Sequence, residues 1–321
     1  MRFDLDSGQR DFAASIDAAL AAADVPAAVR TWAAGDTAPG RKVWAQLAEL
    51  GVTALNVPEE FGGIGAHPVD LVVAMERLGR WCVPGPVVES IAVAPVLLAG
   101  KPDHGERLAA LAAGELIVTV ALPPHTPRAV DADTAGLVVF AVDGRVSEAQ
   151  PGQQHRCIDP ARRLFDVTAT GSGWNADVAR AYEFGALATA AYLVGAGQAM
   201  LDMSVEYAKQ RSQFGRVIGS YQAIKHKLAD VHIAVELARP LVYGAALSLA
   251  QGFSYTSRDV SSAKVAAADA ALLAARSSLQ THGAIGFTAE HDLSLWLLRV
   301  QALRTAWGSP ATHRRRVLEA L

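Results

Sequence analysis

The sequence predicts a mainly α-helical protein with a small β insertion in its middle. Three observations lead there. Apolar residues recur at helical spacing up to about residue 115 and again from about Ala176 to the end. Between these stretches lie short β-branched runs separated by turn signals. Hydrophobic residues make up 51% of the 321-residue chain and charged residues 19%, which is ample for a packed core. The expected division is an N-terminal helical domain over 1–115, a middle β-domain over 116–173 and a C-terminal antiparallel four-helix bundle over 174–321.

The first helix is expected over Asp11–Ala23, which is alanine-rich and amphipathic. RKVWAQLAEL, Arg41–Leu50, places Val43, Trp44, Leu47 and Leu50 on one face and stops at Gly51. Pro58 and glycines 62, 63 and 65 then make a turn-rich loop, and helical spacing resumes over Val69–Leu78. LIVTVAL, from Leu116, reads as a strand. GLVVFAVDGRVSEAQ, from Gly136, reads as a hairpin turning at Asp143-Gly144, and LFDVTATG, from Leu164, as one more strand. The remaining helices are expected at roughly 177–212, 220–251, 257–282 and 291–320, with Gly283 stopping the third.

A formal net charge of -3 argues against general nucleic-acid binding or a polybasic membrane surface. Cys82 and Cys157 are too few for a zinc site, and no metal is expected; they read as idle thiols. MRFDLDSGQRDF carries charges where a signal peptide needs an apolar run, so a cytoplasmic protein is expected. Phe184–Leu201 runs 18 residues without a charge, the minimum for a membrane span. It also holds Gly185, Gly195, Gly197, Thr189 and Gln198 and continues into charged sequence, which predicts a buried helix of the bundle instead.

One stretch asks for a chemical explanation. YAKQRSQFGRVIGSYQAIKHKLAD, Tyr207–Asp230, crowds Lys209, Arg211, Arg216, Lys225 and Lys227 around a hinge with Phe214, Gly215 and Gly219. Ser220 is placed to cap a helix starting at Tyr221, leaving backbone N–H groups as an anion site. Arg211 offers a bidentate fork for a phosphate, Phe214 a surface for a flat ring and Gln222 a hydrogen bond. A diphosphate-containing cofactor fits such a corner; so does a solvated hairpin with Phe214 in the core.

This stretch resembles the Arg-x-x-Phe-Gly…Ile-Gly…Gln…(Lys/Met)-Leu-Ala-Asp signature of the acyl-CoA dehydrogenase family. QTHGAIGFTAEHDL, from Gln280, resembles its Gln-x-x-Gly-Gly-x-Gly-(Phe/Tyr) motif, and NVPEEFGGIG, from Asn56, its Pro-Glu-Glu-(Tyr/Phe)-Gly-Gly-x-Gly loop. The resemblance implies N-terminal helices, a middle β-domain and a C-terminal four-helix bundle. It implies oxidation of an acyl-CoA thioester to its 2,3-enoyl form, with FAD bound across a subunit interface and an electron-transfer flavoprotein as acceptor. The ADP half of FAD would meet Arg211, Gln213, Phe214, Ile218, Gln222, Gln280, Gly283, Ala284 and Gly286, with Ala284 standing for the usual second Gly.

The chain departs from the family pattern in three places. The β-domain is shortened, and VALPPHTPRAVDAD, from Val120, stands where the family has Thr-Glu-Pro-x-x-Gly-Ser-Asp. In TAWGSPATHRRRV, Trp307 precedes Gly308 where the family's catalytic Glu precedes a Gly, and indole has no basic lone pair. A minority of the family puts the base on the bundle's first helix; that position here is Gly185. Glu183, two residues away, is turned about 200° and displaced about 3 Å along the helix, and reads as a first-turn carboxylate favoured by the helix dipole.

His226, His232 and His282 read as isolated helix-surface or capping residues, and Glu206 and Glu236 as helix-face charges. His313–Arg316 reads as a solvated face, with CoA-phosphate binding as its functional alternative. No catalytic residue is therefore assigned. The resemblance is to the non-catalytic subunit of a heterotetrameric, steroid-type acyl-CoA dehydrogenase, whose partner subunit carries the chemistry. The alternatives are a self-sufficient homomer using Glu183 and a flavin-free scaffold that binds a partner or a CoA ester.

Overall fold

The computed structural model describes residues 4–321. Six helices precede the sheet: α1 (Ser7–Ala21), α2 (Val25–Ala33), α3 (Ala38–Glu49), α4 (Pro68–Arg80), α5 (Ala94–Leu98) and α6 (Gly105–Ala112). Asp6 starts α1 with a capping box: its carboxylate accepts from Gln9 N at 2.8 Å while the Gln9 side chain accepts from Asp6 N at 3.2 Å. The short α2 follows directly and was not expected from the sequence. It is bounded by Asp24 in the left-handed region, a break the alanine-rich texture concealed.

The sheet is built from β1 (Val118–Ala121), β2 (Ala129–Val130), β3 (Leu137–Val142), β4 (Arg145–His155) and β5 (Leu164–Asn175), in the order β1-β3-β4-β5-β2. The expected hairpin is β3–β4. Asp143 (φ 48°) and Gly144 (φ 78°) both take positive φ, as a two-residue turn between twisted strands demands. β1 pairs with β3 in parallel, and the two-residue β2 closes the far edge against β5. Neither pairing has a local sequence signal.

The C-terminal helices are α7 (Val178–Gln210), α8 (Gln222–Gln251), α9 (Thr256–His282), α10 (Leu293–Leu303) and α11 (Pro310–Glu319). The single helix expected over 291–320 is broken. Trp307 (φ 56°) and Gly308 (φ 97°) turn the chain between α10 and α11, and Ser309 caps α11 by accepting from Thr312 N at 3.1 Å. Ser220 does not cap α8. Its hydroxyl donates to Val217 O at 2.7 Å, and extended Tyr221 precedes the helix without a side-chain cap.

α7 and α8 are each long and apolar enough to cross a membrane by composition. In α7 the apolar run is inside the bundle, with 94% of its most apolar window buried, as the sequence predicts for a central helix. α4 crosses α7 at two glycines. A Cβ on Gly195 would stand 1.8 Å from Glu76 O, and one on Gly79 2.0 Å from Tyr192 O, so only bare backbone fits the crossing. Buried polar groups lock the same region. Glu76 accepts from Arg77 Nη2 (2.7 Å), Arg239 Nε (3.1 Å) and Tyr243 Oη (3.1 Å), tying α4 to α8. Arg299 on α10 pairs with Asp159 and donates to Val83 O at 2.9 Å and Tyr192 Oη at 2.6 Å. Both cysteines are free thiols.

Gly195→Ala tests the crossing. It should destabilise the protein by about 1–3 kcal/mol, the usual range for overpacking, read as a lower urea midpoint with unchanged slope. A wild-type midpoint would show that α4 and α7 are not in backbone contact there.

Candidate functional site

The cationic stretch forms a small ribbon between α7 and α8. Strands β6 (Ser212–Gln213) and β7 (Arg216–Val217) pair antiparallel, and Ile218 N donates to Arg211 O at 2.8 Å to close it. Tyr221 Oη donates to the carbonyls of Gln213 and Phe214 at 3.2 and 3.3 Å, while the Arg216 guanidinium lies 4.0 Å from the Tyr221 ring centre. The tip is thereby held open. Phe214 sits at φ 54° and is 92% exposed, which overturns the reading of Phe214 as a core residue. Arg211, Gln213 and Gln222 are exposed, and their side chains make no hydrogen bond or ion pair among the described residues.

The second motif is packed beside the first. Tyr207, on the last turn of α7, stacks on His282 with ring centres 4.4 Å apart, and Lys227 of α8 donates to Gln280 of α9. His282 also meets His291 edge-on at 5.0 Å, so it is not the isolated histidine the sequence suggests. Burial lowers its pKa, against the opposing hydrogen bond to Ser278 O, and favours the neutral ring. Beyond it the chain turns through Gly283 (φ 69°) and a short helical turn, Gly283–Phe287, containing Ala284 and Gly286. A Cβ on Gly286 would stand 2.9 Å from His282 Cβ, so the turn is pressed against the end of α9, whereas Gly283 has open space. Ile218, half-buried, anchors the ribbon to the bundle core. The structure thus brings the ends of α7 and α9 and the start of α8 to one end of the bundle. A guanidinium, a flat apolar ring and amide side chains stand there uncommitted. This donor set fits a nucleotide diphosphate: a fork for phosphate, a face for an aromatic ring and amides for polar edges.

The opposite situation holds where a catalytic base would stand. Trp307 is fully buried, and its indole lies against α7 at Gly185. A Cβ on Gly185 would be 2.3 Å from the indole Cε3. The indole N–H donates to Glu89 Oε1 at 3.2 Å. The Trp307 carbonyl accepts from Tyr182 Oη at 3.2 Å and from His313 Nε2 at 2.8 Å, which holds its left-handed backbone. Gly308 is obligatory beside it, because a Cβ there would lie 2.5 Å from both of those donors. With Nε2 donating to that carbonyl, Nδ1 of the neutral ring is left to accept from Ser261 Oγ, 3.1 Å away. Burial, reinforced by Lys264 and Arg316, pushes the His313 pKa down to about 4. His313 is therefore a core residue. Arg316 is one-fifth exposed and paired, so the solvated reading of 313–316 fails for both.

Glu183 is not a free first-turn carboxylate. It lies in the sixth position of α7, 12% exposed, and pairs with Arg316, whose guanidinium also meets Ser257 Oγ at 2.5 Å. Burial raises its pKa against the opposing effects of Arg316 and Ser257. It borders a cleft of about 490 Å³ with Pro124, His125, Tyr182 and Arg316. Tyr182 organises that wall: the His125 ring packs against it at a tilt, with centres 4.4 Å apart, and Arg316 lies 4.8 Å from its ring centre. Burial pushes the Tyr182 phenol up to about 12 and the His125 imidazole down. Sequence reasoning passed over His125 and Tyr182, whose neighbours come from distant elements and leave no local spacing signal. His226, His232 and Glu206 lie exposed on α7 and α8, and Glu236 pairs with Arg239 one turn away.

Known proteins agree with this architecture. The family described as acyl-CoA dehydrogenase, N-terminal domain matches residues 7–115, and acyl-CoA dehydrogenase, C-terminal domain matches residues 171–321. Acyl-CoA dehydrogenase IpdE2 of Mycobacterium tuberculosis (strain ATCC 25618 / H37Rv) is 35% identical over 299 residues, covering 91% of this chain and 90% of that protein. IpdE2 of Mycolicibacterium smegmatis (strain ATCC 700084 / mc(2)155) is 33% identical over 297 residues, covering 91% and 92%. Among solved structures, a chain of the ChsE4-ChsE5 complex from Mycobacterium tuberculosis superposes with a TM-score of 0.86 at 21% identity, covering 99% of this chain and 98% of that one. A variant of the Tcur3481-Tcur3483 steroid ACAD gives 0.86 at 18% identity, covering 98% and 97%. At such identities the superpositions speak for the fold. With the sequence matches at both ends and across nine-tenths of IpdE2, the chain belongs to the acyl-CoA dehydrogenase family.

Proposed function

We propose that this chain is the non-catalytic subunit of a heterotetrameric, FAD-dependent acyl-CoA dehydrogenase. It lends one half of an interfacial cofactor site to a catalytic partner. The observation that carries the reading is the fully buried Trp307 indole packed on Gly185, which fills both positions where the family pattern would put a base. The exposed corner supports the other half of the proposal. Arg211 would hold phosphate, Phe214 would lie on a ring, and Gln213, Ile218, Gln222 and Gln280 would line the ADP half beside the turn of Gly283, Ala284 and Gly286. FAD, when bound, supplies the hydride acceptor for 2,3-dehydrogenation of the acyl-CoA. This chain's residues bind and orient it; the proton-abstracting group belongs to the partner.

An apolar surface supports a partner as well. Ile233, Leu237 and Leu241 recur every four residues on α8 at 54%, 66% and 47% exposure, and Phe287 beyond the Gly-rich turn is 64% exposed. The names of the similar structures, a ChsE4-ChsE5 complex and a Tcur3481-Tcur3483 steroid ACAD, favour two unlike chains and a bulky acyl-CoA such as a steroid side-chain thioester. An electron-transfer flavoprotein is the acceptor the family resemblance implies.

Arg211→Ala, assembled with its partner, should weaken FAD retention by roughly 10- to 150-fold, the equivalent of one charge-assisted hydrogen bond to phosphate worth about 1.5–3 kcal/mol. Arg211→Lys should restore part of it, since an ammonium lacks the planar fork. Unchanged FAD affinity in Arg211→Ala would mean that the corner is only structural.

One observation favours a second reading, a self-sufficient enzyme using Glu183: the residue borders a cleft, and its Oε2 is buried without a hydrogen-bond partner. Against it stand the Arg316 ion pair and the indole over Gly185. Glu183→Gln should leave kcat of the assembled complex within about threefold of wild type, whereas losing a general base costs about 10²–10⁴-fold. A hundredfold drop at constant FAD content would establish the second reading instead.

A further inference from the structure

A second cavity, of about 170 Å³, lies on the other side of His125, between the β2 edge of the sheet and the end of α10. That is below the usual size for a drug-sized ligand. Its wall combines Thr126, Arg128 and Arg162 with the apolar Val130, Leu164 and Ala302. Thr126 and Arg128 belong to the segment that stands where the family has its Thr-Glu-Pro-x-x-Gly-Ser-Asp loop.

Arg162 is the unusual member. It is only 6% exposed, and its guanidinium makes no hydrogen bond or ion pair among the described residues. Asp131 feels its charge without contacting it, and the donors of the fork stay open to an acceptor in the cavity. The Thr126 hydroxyl, in a residue 8% exposed, is also buried without a partner.

The acids nearby make their hydrogen bonds elsewhere, with Asp131 Oδ2 alone among them buried without a partner. Asp131 is held by Arg163, whose Nε and backbone N stand 3.1 and 3.2 Å from Oδ1. Asp159 pairs with Arg299 and accepts from Ala161 N. Asp166 pairs with Arg128 at 3.0 Å and with His155 at 2.7 Å. The last carbonyls of α10, which would repel an anion, are occupied: Lys264 Nζ donates to Leu303 O and Arg304 O, both at 3.2 Å.

We infer that this cavity binds the carboxylate of a small, compact apolar acid. Arg162 supplies the planar fork and Thr126 a hydroxyl donor. A carboxylate suits this wall better than free phosphate. One cationic fork and one hydroxyl satisfy a single charge, and the aliphatic side chains opposite have nothing to offer a second charged edge. The inference is independent of the subunit's role in dehydrogenation and needs no turnover to test.

The test titrates the full-length chain calorimetrically at neutral pH with three probes: cyclohexanecarboxylate, cyclohexanecarboxamide and inorganic phosphate. The carboxylate should bind at least tenfold more tightly than the amide and more tightly than phosphate. Arg162→Met should weaken carboxylate binding at least tenfold. Arg162→Lys should keep part of the affinity. Thr126→Val, which keeps the side chain's shape, should weaken binding threefold or more and covers the case in which Arg162→Met does not fold. Absence of carboxylate binding in the wild type, equal binding of acid and amide, or preference for phosphate would overturn the proposal. Wild-type affinity in either Arg162→Met or Thr126→Val would do the same.

Discussion

The indole of Trp307 rests on the bare backbone of Gly185, and much of the C-terminal architecture follows from that contact. α10 ends at Leu303, and at Trp307 the chain enters the left-handed region, with Gly308 following at a φ open to glycine. The break frees the Trp307 carbonyl, and Tyr182 and His313 satisfy it. His313 does so from within the core, which sets α11 against Ser261 of α9 and brings Arg316 onto Glu183. A hydrogen-bonded aromatic cluster thus fills the place where the family pattern would put a base. Reopening it would require changing several mutually dependent residues at once.

At the other end of the bundle the constraint is reversed. The ribbon between α7 and α8 spends its internal hydrogen bonds on its own backbone and on Tyr221, leaving Arg211 and Phe214 projecting. An exposed Phe at positive φ gains nothing for an isolated chain. Exposed Leu and Ile residues along α8 are likewise costly unless covered. Both features make sense together if the surface is completed by another molecule, and this links the corner and the stripe in a single reading.

The sequence revealed what is locally encoded. Helical periodicity, the Asp143-Gly144 turn and the stop at Gly283 were readable because each depends on neighbours within a few residues. The cationic corner was readable for the same reason, since its residues are contiguous. Invisible features depend on long-range contact: the parallel β1–β3 pairing, the two-residue β2, and the packing of His125 on Tyr182. The HRRR run misled because composition alone suggests solvent, whereas α11 turns His313 inward and leaves Arg314 facing out toward Asp269. The left-handed turn at Trp307 was not legible, because Tyr182, which helps hold its carbonyl, comes from across the fold.

The central claim is that this chain carries half of a flavin site and no working site of its own. FAD content, measured on the chain purified alone and again after co-purification with its catalytic partner, tests it most directly. The account predicts little or no FAD and no acyl-CoA dehydrogenation in the isolated chain, with FAD and turnover appearing only in the complex. Stoichiometric FAD and turnover in the isolated chain would contradict it.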